Sequence, residues 1–189
     1  MIIQNNFNYK NFCELTSEEQ LLVLQWRNHK TIRKWMINKE FITINKHKTF
    51  LMQLHNNNEK KYWLVMKGTD PVGVSSLTDI KNRSAEWGYY LAPEYHETSL
   101  AIEFYYFTLD YLFNFIKLEM ICGFELVNNQ NASSLNSLFG FTKEKTTKAV
   151  NGIQIDLIYR KLSKRKWIEK IKKDKKILKL LNFALSRSL

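Results

Sequence analysis

The feature that most constrains the fold is a set of three extended segments crowded between residues 62 and 91. Residues 62–66 (YWLVM), 72–80 (VGVSSLTDI) and 85–91 (AEWGYYL) are rich in β-branched and aromatic side chains, which suit a pleated surface. Gly68 to Pro71 make the first turn between them, and Asn82 to Ser84 make the second. Connections this short cannot carry a crossover, so the segments form an antiparallel meander. Farther along, Asn151-Gly152 supplies the two positive φ angles of a type I′ turn. It predicts a hairpin joining residues 141–149 to 153–162.

Helical signals surround these strands. Thr16-Ser17-Glu18-Glu19 reads as a capping box, followed by Leu21, Leu22, Leu24, Trp26 and then Trp35 and Met36 as apolar positions over two short helices. Phe50, Leu51 and Leu54 mark a helix after Ile44. Residues 99–116 are apolar almost all round and predict a buried helix. Residues 119–127 then read as a strand and 131–139 as a short helix. The expected fold is α/β (α+β): a central mixed, mostly antiparallel sheet flanked by helices, ending in a hairpin and an extra basic helix.

Composition narrows the class. A chain of 189 residues can bury a core without covalent staples. Its many aromatics either fill that core or line a groove for a bulky ligand. Cys13 and Cys122 stand alone, with no CxxC spacing, which argues against a disulfide framework and against a zinc site; no metal is expected. The first residues lack a basic segment followed by an apolar run, and no apolar stretch is long enough to span a bilayer, so a cytoplasmic location is expected. Net charge is +11, yet residues 161–189 alone hold 11 Lys or Arg against Glu169 and Asp174. The body is therefore nearly neutral, which argues against nucleic-acid binding, and the chain divides into residues 1–162 and a basic extension, 163–189.

Two junctions carry chemistry. Residues 86–100 read EWGYYLAPEYHETSL, a strand leading through a proline loop into a helix. Residues 128–141 read NNQNASSLNSLFGF, an Asn-rich helix start closing on Gly-Phe. In this order, before a terminal hairpin, they resemble the GCN5-related N-acetyltransferase (GNAT) superfamily over roughly residues 1–162. The resemblance implies acetyl-CoA as cosubstrate. Tyr95, His96, Glu97, Thr98, Ser99 and Leu100 would offer backbone N–H groups to its diphosphate at a helix start. The peptide-like pantetheine would pair with the strand edge at Tyr89, Tyr90 and Leu91, with Asn129 and Asn136 completing the cofactor site. Glu86, Tyr90 and Asn136 are the catalytic candidates, and strand alternation puts Glu86, Gly88 and Tyr90 on one face. Two positions depart from the family pattern. The phosphate loop has no glycine and carries the negative Glu97, and Asn136 stands where the family's general-acid tyrosine falls.

Residues 22–36 (LVLQWRNHKTIRKWM), His47 on a later helix and the Ser-Leu-Thr strand are similar to the bacterial nucleotide-amino-sugar acetyltransferases of the pseudaminic acid pathway. Those enzymes acetylate the 4-amino group of a UDP-linked 2-acetamido-4-amino-4,6-dideoxy-altrose. The resemblance implies that Arg27 and His47 contact the UDP or sugar, with Thr78 and Tyr90 lining the sugar pocket. It implies direct transfer without a covalent enzyme intermediate. Acetylation of a protein N-terminus or another small amine, or a catalytically impaired CoA-fold binding module, are the alternatives. In the extension, Trp167, Ile171, Leu178, Leu181 and Leu185 share one helical face. That face either lies on an anionic membrane or partner, or packs on its own domain. A homodimer is left open.

Overall fold

The computed structural model describes residues 6–187. Residues 1–5, which bear on the leader reading, and the last two residues of the basic extension lie outside the described residues. Seven strands form one sheet: β1 (Phe7–Asn11), β2 (Lys61–Lys67), β3 (Asp70–Lys81), β4 (Ser84–Leu91), β5 (Met120–Leu126), β6 (Glu144–Val150) and β7 (Ile153–Ser163). Their spatial order is β1-β2-β3-β4-β5-β7-β6. Every neighbouring pair is antiparallel except β4 and β5. The meander and the hairpin stand where the turn residues put them, with Asn151 at φ 51° and Gly152 at φ 78°.

Strand alternation sorts the core into two layers. On β2, Trp63 and Val65 join one hydrophobic cluster, while Leu64 joins the other. The first cluster is covered by α4 (Leu100–Asp110), which contributes Phe104, Tyr105 and Leu109. The second is covered by α1 (Ser17–Asn28), α2 (Lys30–Arg33) and α3 (Ile44–Leu54), through Val23, Trp26, Ile32, Leu51 and Leu54. The capping box forms at α1 as read: the Thr16 hydroxyl accepts from Glu19 N, and the Glu19 carboxylate accepts from Thr16 N. A final short helix of the body, α5 (Gln130–Leu138), starts on the Asn129 cap.

Four expectations are corrected. β1 had no sequence assignment; its partner β2 lies some fifty residues away, so no local turn announces it. In α1 the inward residue is Val23, while Leu21 is 47% exposed, because the buried stripe runs through Val23 and Trp26. Trp35 and Met36 are not helical: α2 ends at Arg33 and they fall in the following turn. The 99–116 helix is α-helical only to Asp110 and continues as a π-helical turn over Tyr111–Phe115.

The basic extension is not one continuous helix. A short helix, α6 (Lys164–Lys166), runs into a π-helical turn at Trp167–Ile171, and the chain restarts at an Asp174 cap as α7 (Lys175–Ser186). Its apolar side turns inward: Trp167, Ile177 and Leu181 are buried in the same cluster as α4. Lys172 closes the contact by pairing with Asp110 at the end of α4. The lysine-rich side stays in water, which is the packed arrangement of the two readings.

Candidate active site

The site begins where the sheet comes apart. β4 and β5 pair only over Ser84–Met120, Ala85–Ile121 and Glu86–Cys122. Beyond that point β4 stays paired with β3 up to Leu91, and β5 stays paired with β7 up to Leu126. The two strands therefore diverge, and the β4 edge facing β5 has no strand partner from Trp87 onward. The last close approach is at Gly123, where a Cβ would lie 3.0 Å from the Trp87 carbonyl oxygen; any other residue would push the strands apart earlier. Along this split runs a cleft of about 1260 Å³, lined from both layers of the molecule.

One end of the cleft is shaped like an anion cradle. Pro93–Tyr95 form a single helical turn, and Glu97 holds φ at 64°, the left-handed backbone that glycine ordinarily supplies. The loop thus keeps a glycine-like turn without a glycine. α4 starts immediately afterward, and the Ser99 side chain makes no capping bond to its first N–H groups. Ile102 N already donates to the Ser99 carbonyl at 3.1 Å, so the N–H groups before it and the helix dipole are what an anion meets. The ring nitrogen Nε2 of His96 lies 3.1 Å from the Leu91 carbonyl oxygen and anchors the loop to the strand end.

The opposite end is enclosed by α1, α3 and the turn after α2. Arg27 donates from Nη2 to the Asn38 carbonyl at 2.7 Å, while its Nη1 is buried without a hydrogen-bond partner. His47, only 6% exposed, likewise has a buried, unpartnered Nε2. Burial pushes the His47 pKa down, keeping the ring neutral, and burial also lowers that of Arg27, which stays cationic. Tyr90 faces this end from β4, and burial holds its hydroxyl protonated, well above the usual phenol range. Glu86 lines the same face, its side chain 24% exposed, with Lys148 Nζ at 3.8 Å.

Between the two ends lies a closed polar network. Tyr105 Oη donates to Asn136 Oδ1, and Asn136 Nδ2 donates to Glu125 Oε2. Glu125 Oε1 accepts from Arg160 Nη2 at 2.6 Å and from Nε at 3.1 Å, and Arg160 Nη2 also reaches Ser133 Oγ at 2.7 Å. Asn136 is thereby locked in orientation, with one amide N–H not engaged by Glu125. Beside this network Tyr89 meets Tyr105 edge-on, ring centres 5.1 Å apart.

The fold gathers most of the expected residues. Arg27, His47, Glu86, Tyr89, Tyr90, Leu91, His96, Glu97, Thr98, Asn129 and Asn136 all line the cleft. Four others do not line it with their side chains. Leu100, in the first turn of α4, is buried in the core, and Tyr95 packs against both clusters, which leaves the backbone role read for them untouched. The Ser99 side chain makes no capping hydrogen bond, and Thr78 sits opposite Glu86, with Ser76, two residues closer to the opening, lining the cleft instead. Asn129 lines the wall, but its Oδ1 is occupied in capping α5 by accepting from Ala132 N at 3.2 Å. Sequence reasoning missed Ser76, Tyr62 and Phe50 as wall residues, and missed Glu125 and Arg160 entirely. Ser76 shares the Glu86 face by alternation and could have been found; the Glu125–Arg160 pair bridges β5 and β7 and left no local signal.

Comparison with known proteins agrees with this geometry. The family model described as "Acetyltransferase (GNAT) domain" matches residues 12–142. Two curated relatives named acetyltransferase PseH, both from Campylobacter jejuni, are 40% identical over 84 residues and 39% identical over 85 residues. These matches cover 44% and 45% of this chain, and the chain spans only about half the length of those relatives, 53% and 54%. The crystal structure of the Campylobacter jejuni N-acetyltransferase PseH in complex with acetyl coenzyme A superposes with a TM-score of 0.63 at 26% identity, covering 83% of this chain and 98% of that one. A spermidine N-acetyltransferase from Vibrio cholerae, solved with CoA and spermine, shares the fold with a TM-score of 0.76 at 19% identity, covering 87% and 99%. The chain belongs to the GNAT acetyltransferase family.

Proposed function

We propose that this protein is an acetyl-CoA-dependent N-acetyltransferase whose acceptor is the 4-amino group of a UDP-linked amino-dideoxy sugar, in pseudaminic acid biosynthesis for flagellin or other surface glycans. The observation that carries the acceptor class is the pair of buried, unpartnered nitrogens, the donor Arg27 Nη1 and the ring nitrogen His47 Nε2, in the cleft that also holds Glu86. Orphaned polar groups of this kind are costly unless a ligand pairs with them: a diphosphate oxygen accepts from Arg27, and a sugar hydroxyl, which both donates and accepts, pairs with His47 in either tautomer. The relatives named PseH point the same way.

Acetyl-CoA supplies the acetyl group as a thioester. The residues present fit it: the unpaired β4 edge at Tyr89 to Leu91 accepts a peptide-like arm, and the uncapped start of α4 after Glu97 accepts a diphosphate. The β4 N–H groups orient the carbonyl, and Glu86, directly or through a water, takes the proton from the attacking amine. Tyr90 keeps its proton and donates a hydrogen bond to the acceptor. Asn136 positions by its remaining N–H and carries no transferable proton, so as the C–N bond forms and the thioester C–S bond breaks the sulfur would leave as the thiolate and take its proton from water.

Acetyl-CoA consumption with a panel of UDP-amino sugars tests this reading. Thiol release with a UDP-4-amino-4,6-dideoxy sugar, lost in Glu86→Gln, is the expected result. CoA binding without turnover on any UDP-amino sugar would overturn the acceptor assignment.

A further inference from the structure

Glu86 is not alone at its end of the cleft. Lys148, on β6, lies 3.8 Å from Glu86 Oε2, and its ammonium also sits 4.3 Å from the centre of the Phe124 ring. Phe124 is itself held by Tyr159 of β7, ring centres 5.2 Å apart, so the lysine rests on a supported aromatic face. The far end of the hairpin is tied across the cleft: Asn151 Nδ2 donates to Glu40 Oε1 at 3.2 Å, in the segment between α2 and α3. The other titratable groups bearing on Glu86 are Tyr62 from β2, Cys122 from β5 and Tyr159 from β7, and burial raises the pKa of all three, which keeps them neutral. Thr78, opposite on β3, does not titrate. Arg27 acts on this end through Tyr62 and has its own carbonyl partner.

We propose that Lys148 is a positioning residue for Glu86: pinned on Phe124, its ammonium holds the carboxylate turned toward the hairpin side of the cleft until an acceptor amine takes its place. This rests on Glu86 being the proton acceptor of the proposed reaction. An isolated pair at this exposure would be loosely held and screened. The Phe124 ring distinguishes this one by fixing the cation on a second contact. The arrangement makes the acceptor amine exchange with a cation already in place.

The test is kinetic, with Lys148→Arg as the conservative rescue. In turnover, Lys148→Met lowers kcat/KM by about 3–10-fold, Lys148→Arg restores most of it, and the loss disappears in a Glu86→Gln background. Fully additive losses would mean that Lys148 acts independently of Glu86 and would also overturn the proposal. Native turnover in Glu86→Gln would instead remove Glu86 as the proton acceptor and the proposal with it, whereas additive losses remove only the role of Lys148.

Discussion

Two buried polar groups of residues stand on either side of the divergence between β4 and β5, and they are finished to different degrees. The Tyr105–Asn136–Glu125–Arg160 network joins donor to acceptor along its length, with the carboxylate bridged by a guanidinium. The Arg27 and His47 pair sits in a comparably enclosed place, yet each presents a buried nitrogen to nothing. A satisfied buried network rigidifies a structure, whereas a half-satisfied one costs free energy unless something else completes it. The contrast separates scaffold from site: the first cluster holds β5, β7, α4 and α5 together, and the second is shaped for a ligand.

The sharpest way to break this comparison is Arg160→Met. It leaves Glu125 buried without its cation, and unfolding free energy should fall by about 3–5 kcal/mol in denaturant titration. A loss below about 1 kcal/mol would show that the network is not scaffold. Asn136→Leu should cost about 1–3 kcal/mol, because it strands the Tyr105 hydroxyl and one Glu125 oxygen. Arg27→Met should behave in the opposite sense. Stability should change by less than about 1 kcal/mol, while KM for a UDP-amino sugar rises about 10–100-fold, the size of one or two charge-assisted hydrogen bonds. Equal losses of stability in Arg160→Met and Arg27→Met would erase the distinction.

The smallest effect concerns pH. Burial lowers the His47 pKa in the folded chain, so the unfolded chain binds the proton more readily. Its contribution to stability is therefore complete above the unfolded value of about 6.5, and is lost progressively as pH falls below it toward the folded value. His47→Gln removes that dependence. The stability difference between native and variant protein should be flat above about pH 7 and should move in favour of the variant between about pH 6.5 and 5. A difference that stays flat through this window would mean that His47 protonates freely in the folded state.

Much of the scaffold was legible in the sequence because its signals are local. The meander followed from turns at Gly68 and Asn82, the hairpin from Asn151-Gly152, and the start of α1 from Thr16 and Glu19, each a matter of neighbouring residues. The cleft was partly legible, since alternation along β4 assigns Glu86 and Tyr90 to one face whatever surrounds them. The errors fell where local rules end. Thr78 was expected in the pocket from the resemblance, yet Ser76, on the same face, lines the cleft, and only its depth distinguishes them. Tyr95 and Leu100 read as loop residues at a helix start, and the packing of α4 draws their side chains toward the core, which no local signal announced.

By itself, then, the sequence determined the order of strands and helices from α1 to the terminal hairpin, the family pattern at Glu86–Leu100 and Asn128–Phe141, and the glycine-free character of the phosphate loop. The tertiary structure decided what those features do. It gave Glu97 the left-handed backbone that the missing glycine would have supplied, and it enclosed Asn136 between Tyr105 and Glu125. It folded the basic extension back onto α4, and it set Lys148 against Glu86 from a strand some sixty residues away. The physical reason is range. Turn geometry, capping and alternation are set within a few residues, whereas burial, orphaned donors and charge pairs depend on which distant segments the sheet brings together.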